Sequence, residues 1–74
     1  MTQNESRAVA YYTKLMDNIN QKIIGILETE DELETNDLDK IAELVSDYIR
    51  YSSFRKSLII FAKLREGELW NTLI

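Results

Sequence analysis

The chain contains no cysteine, no histidine and no proline, and only two glycines among its 74 residues. Each absence closes off a class of protein. Without Cys there are no disulfides and no thiolate ligands, and without His there is no imidazole base or ligand, which removes zinc sites and Ser-His or Cys-His catalysis. Without Pro, and nearly without Gly, the chain lacks the turn residues that a many-stranded β domain or a flexible linker needs. Long apolar runs are missing too. The longest, Leu58 to Ala62, falls far below the ~20 residues of a membrane span, and the opening Met-Thr-Gln-Asn-Glu has neither a basic start nor an apolar stretch. We therefore expect one all-α domain over residues 1–74, soluble and cytoplasmic, with no metal and no cofactor. A chain this short buries only about 60% of its unfolded surface, so a partner or a second copy is also expected.

What is present is helical periodicity. Val9, Tyr12, Met16, Ile19, Ile23 and Ile26 recur at alternating spacings of three and four, the seam of a helix that packs lengthwise on another. Thr2 followed by Glu5 reads as a capping box, with Asn4 as an alternative cap, so this helix is predicted over about 4–29. Residues 28–37 carry many acids, and like charges at that density repel and stay solvated, which predicts an acidic turn over 30–36. Asn36, Asp37 and Asp39 supply a cap and first-turn acids for a second helix from about 37 to 74. Leu38, Ile41, Val45 and Tyr48 form its apparent seam. One step further the phase reaches Ser52 and Arg55, while Tyr51, Phe54, Leu58 and Phe61 take up a shifted stripe, so this helix is predicted to bend or break near 52–53. Unbroken, its 37 residues would span roughly 55 Å against roughly 38 Å for the first helix, and its end would overhang. Two architectures fit: a long antiparallel helical hairpin whose overhang packs on another subunit, or a three-helix bundle with a cap at Ser53. The expectation is the hairpin, assembled into a helical homo-oligomer through Leu58, Phe61, Leu64 and Trp70, because residues 58–70 are apolar on more faces than one neighbouring helix can cover.

The net charge of −4 is unevenly spread. Residues 28–47 hold nine acids and one Lys, whereas 48–65 hold Arg50, Arg55, Lys56, Lys63 and Arg65 and no acid. A hairpin turning near residue 33 brings Tyr11 and Tyr12 close to Phe54 and Arg55, with Lys14 and Arg7 nearby. Rings beside guanidinium and ammonium groups are what a nucleotide needs, since bases stack and phosphates take charge-assisted hydrogen bonds. Tyr11, Tyr12, Lys14, Arg55 and Lys56 are the candidate ligand-binding residues. The plainer account is that the tyrosines are core and rim and the cations a solvated helix face. Acid–base catalysis finds no paired carboxylates in an apolar pocket, and the acidic turn lacks the spacing of a calcium loop. The negative total disfavours double-stranded DNA as a partner.

The segment Arg55-Lys-Ser-Leu-Ile-Ile-Phe-Ala-Lys-Leu-Arg-Glu-Gly-Glu-Leu-Trp70 resembles the second helix of a phage hairpin family. That family includes sponges that sequester the cyclic nucleotides of bacterial antiphage signalling, both CBASS and Thoeris. Arg55, Lys63, Leu64, Glu66 and Trp70 fall in register with its pattern, and Gly67 takes its small-residue position. Arg65 stands where the family has an acid, Ala62 replaces its Thr, and the long N-terminal helix does not align. If that helix is an addition, the hairpin is 38–74 and residues 4–29 form an extra layer. The resemblance implies a non-enzymatic, oligomeric immune-evasion protein that binds cyclic di- or trinucleotides between subunits and does not cleave them. Two other functions fit the same residues: a helical adaptor or inhibitor that binds a host protein, and a Rop-like hairpin dimer that contacts folded RNA.

Overall fold

The computed structural model describes residues 1–29 and 32–67, and within them the chain is two helices packed as an antiparallel hairpin, α1 over Gln3–Thr29 and α2 over Thr35–Arg65. At 1.5 Å per residue they run about 40 and 46 Å, so they match in length and α2 scarcely overhangs. No helix among the described residues is long and apolar enough to cross a membrane.

The start of α1 is set by the capping box its sequence announces. The Glu5 N–H donates to Thr2 Oγ1 at 3.1 Å and the Thr2 N–H donates to Glu5 Oε1 at 3.0 Å, so two otherwise unpaired donors of the first turn are satisfied reciprocally. Near its other end the Thr29 hydroxyl donates back to the Gly25 carbonyl one turn earlier at 2.6 Å. All six predicted seam residues of α1 face α2, with Met16 and Ile19 buried and Val9, Tyr12, Ile23 and Ile26 half-buried.

In α2 the structure corrects three expectations. The cap is Glu34 rather than Asn36: the Glu34 N–H donates to Asp37 Oδ2 at 3.1 Å, so the helix begins two residues early. The helix also runs unbroken through Ser52 and Ser53, which removes the three-helix bundle and a hairpin confined to 38–74. The residues that meet α1 are Asp37, Ile41, Leu44, Tyr51, Arg55, Leu58 and Ala62, all buried or half-buried. With Tyr48 included they keep a regular spacing of four and three from one end of the helix to the other. Leu38 and Val45, which suggested a phase slip, belong to a second stripe that no part of the described chain covers. Finally, α2 stops at Arg65 rather than near 74. Gly67 adopts φ 84°, a conformation that costs an L side chain strain, and its N–H bonds to the Leu64 carbonyl at 3.1 Å while the Glu66 N–H bonds to Ala62 at 3.0 Å. Lys63 and Arg65 in that last turn complement the negative end of the helix dipole.

The core is thin. Only Met16, Ile19 and Ala62 are buried among the described residues. The chain exposes 5860 Å², where a compact globule of its mass exposes about 4,700 Å². Its radius of gyration is 16.7 Å against about 11 Å for a compact domain of this length.

The open end of the hairpin is tied by Arg65, whose guanidinium pairs with the Glu5 carboxylate. Hydrogen bonds from the Thr2 side chain and backbone, then from Arg65, hold the Glu5 pKa at about 2, below its ordinary 4.5. A carboxyl lowered in the folded state contributes stability that is fully present above pH 4.5 and is lost as pH falls toward 2. Thermal melts of the wild type and Glu5→Gln across this range should therefore show the wild-type advantage at pH 5 shrinking to nothing by about pH 2. A gap that stays constant with pH would contradict the role given to Glu5.

Candidate functional site

Midway along the open half of the hairpin, Tyr12 is the hub of an aromatic cluster. Its ring lies 5.6 Å from Tyr11 at 67°, 6.0 Å from Tyr51 and 5.9 Å from Phe54, centroid to centroid. The edge-to-face and tilted arrangements are those that aromatic quadrupoles favour. Tyr12 is half-buried and forms the floor, whereas Tyr11 is 60% exposed and has a free ring face. Next to this cluster Tyr12, Phe54, Ser57, Leu58 and Phe61 line an open groove of about 390 Å³.

Among the described residues one cation contacts the cluster, and it is not one of those expected. Arg50 sits over the Tyr51 ring at 5.2 Å and pairs with Asp47 at 3.2 Å. That ion pair is an exposed i,i+3 contact and is weak enough to be exchanged for a ligand. Arg7, Tyr11 and Lys14, four and three residues apart, share one exposed face of α1, and Arg50, Phe54 and Phe61 share the neighbouring face of α2. Arg55 is level with the cluster but points into the seam: its Nη1 donates to Thr13 Oγ1 at 3.1 Å, and the Thr13 hydroxyl donates in turn to the Val9 carbonyl at 2.8 Å. It braces the two helices from within. Lys56 lies two residues beyond Phe54, on the other side of α2, and the structure does not bring it to the aromatic face.

Of the five residues expected at a ligand site, Tyr11 and Lys14 lie on one exposed face of α1 and Tyr12 lies beneath it, while Arg50, not among the five, stacks on a ring of the cluster. The missing signal was Arg50 one residue before Tyr51 and four before Phe54, which sets a cation beside one ring and on the same side as the other. Of the residues expected at an oligomer interface, Leu58 and Leu64 are half-buried, Phe61 is 62% exposed, and Trp70 lies outside the described residues.

A larger groove, about 710 Å³, opens between the helices toward the turn, lined by Lys22, Gly25, Ile26, Thr29, Lys40, Glu43, Leu44 and Asp47. Its volume is greater but its charges are mixed, and the carboxylates of Glu43 and Asp47 repel a polyanion there. No group of carboxylates that would hold a metal ion forms among the described residues.

The floor and the platform should behave differently when truncated. Tyr12→Ala removes a half-buried ring with three aromatic neighbours and should cost roughly 2–4 kcal/mol of stability. Tyr11→Ala removes an exposed ring and should cost under about 1 kcal/mol. Urea denaturation of the two variants checks this, and similar losses would contradict the assignment.

No protein-family model matches the chain, and neither curated proteins nor solved structures provide a match.

Proposed function

We propose that the protein is a non-enzymatic capture module that binds a cyclic di- or trinucleotide on the face built from Tyr11, Phe54, Arg50, Arg7 and Lys14. The observation that carries this reading is the exposed Tyr11 ring packed edge-on against the Tyr12 hub, with Arg50 over the Tyr51 ring on the hub's other side. A base finds a rigid π-surface there, and the phosphates find cations on two adjacent helices. The half of the chain around this face, residues 1–18 and 48–74, holds seven Lys and Arg residues against Glu5, Asp17, Glu66 and Glu68, so the local field attracts an anion although the whole protein is negative.

Binding without cleavage follows from the side chains available. The chain has no His and no Cys. The one carboxyl with a large shift among the described residues, Glu5, is pulled down, away from the range useful to a general acid near neutral pH. The likeness of residues 55–70 to the phage sponge helix points the same way and supplies the context: an immune-evasion protein in the host cytoplasm that removes a second messenger by holding it. A helical adaptor for a host protein is the second reading, favoured by the exposed Phe54 and Phe61 beside the apolar groove.

Native mass spectrometry with cyclic di- and trinucleotides tests the proposal. Whole ligand masses should be gained and released intact on denaturation. Tyr11→Ala should weaken binding by about 1–3 kcal/mol, roughly five- to 150-fold, while Lys56→Ala on the other side of α2 should leave it unchanged. A protein that gains no ligand mass, or releases cleaved nucleotide, overturns the proposal; stoichiometric retention of one host protein in its place favours the adaptor.

A further inference from the structure

Helix α2 carries two seams. The first, from Ile41 to Ala62, is filled by α1. The second is formed by Leu38, Ala42, Val45 and Ile49, spaced four, three and four, and it runs on through Ser52 and Lys56 to Ile60. Leu38, Val45, Ile49 and Ile60 are all exposed, Ile49 by 59%. A heptad-spaced apolar stripe beside an occupied one is the pattern of a helix that packs against two neighbours at once. The described chain offers α2 only one. Ile24 and Leu27 of α1, also exposed, lie on the same side of the hairpin, since Ile24 is two residues beyond Lys22 and so faces away from the groove that Lys22 lines.

We infer that a second copy of this chain covers the stripe, the two α2 helices packing antiparallel about a two-fold axis near Ile49 to form a four-helix dimer. Two observations select this occupant over another protein. One is area: the chain exposes 5860 Å², about 1,100 Å² more than a compact globule of its mass, and a standard interface takes about 800 Å² from each partner. The other is charge. Residues 19–47 hold nine acids against Lys22 and Lys40, while the open half is basic. A two-fold axis near Ile49 lays the acidic half of one copy along the basic half of the other. Lys56 and Lys63 of one then stand level with the stretch around Asp39 and Glu34 of the other, as an isologous interface requires. A parallel pairing would stack acid on acid. The stripe lies on the side of α2 away from Phe54 and Phe61, so this dimer leaves the aromatic–cation face open, and its interface differs from the 58–70 surface expected from sequence. The inference is independent of what that face binds.

Two measurements test it. In sedimentation equilibrium the wild type should have twice the monomer mass, and Ile49→Lys, at an exposed position that the hairpin does not use, should halve it while helicity by circular dichroism is kept. Because the chain has no native Cys, single-cysteine variants report orientation cleanly. Ile49→Cys should oxidise to a covalent dimer, whereas Leu38→Cys should not, since the two copies of that residue stand about 33 Å apart along an antiparallel pair. A monomeric wild type overturns the inference and leaves the stripe to a different partner. Linking through Leu38→Cys but not Ile49→Cys overturns the antiparallel arrangement, and an Ile49→Lys variant of unchanged mass moves the interface elsewhere.

Discussion

The seam between α1 and α2 carries nearly all the burial this chain achieves, and a two-helix contact can hide only one stripe of each helix. Met16 and Ile19 reach burial because they sit at the middle of that stripe, and Ala62 because a small side chain lets the backbones approach. Among the described residues every other apolar side chain is only partly covered. Apolar surface left in water forgoes roughly 25 cal/mol per Å², which a chain of this length can scarcely spare. The surplus on α2 is the surface that the proposed second copy would cover.

The same geometry separates two tasks. Because the hairpin is one layer thick, its two broad sides can differ, and they do. One presents Tyr11, Phe54 and Phe61 on the same side as Arg50, the face for which we propose an anionic ligand; the other presents the Leu38 to Ile49 stripe, the face for which we propose a second copy. Charge divides along the long axis rather than across it, with acids at the turn and cations toward the open end. The proposed antiparallel neighbour would lay the acidic half of one copy along the basic half of the other.

Much of this was legible in the residues. The α1 seam could be read from Val9 to Ile26 because a single stripe faces a single neighbour, and the Thr2–Glu5 box because capping is local in sequence. The meeting of Tyr12 with Phe54 followed from the turn position alone, since both helices rise equally per residue. The α2 seam was misread for a physical reason. Leu38 and Val45 belong to one stripe and Ile41 and Leu44 to another, and a pattern search that allows one stripe per helix splices them and reports a break at Ser52. The end of α2 was missed because a glycine inside an apolar pattern is compatible with helix until its φ is known, and at Gly67 that angle is positive. Arg55 lies at the level the spacing gives it, but spacing locates a residue along the helix without saying that its guanidinium bonds inward to Thr13.

The central claim is that this hairpin owes its stability to a neighbour as well as to its own seam. Thermal unfolding followed by circular dichroism over about a hundredfold range of protein concentration tests it most directly, because mass action ties the stability of a dimer to its concentration. The account predicts a midpoint that climbs steadily as concentration rises. A sharp transition at the same temperature throughout would show that the two helices stand on their own, and would contradict it.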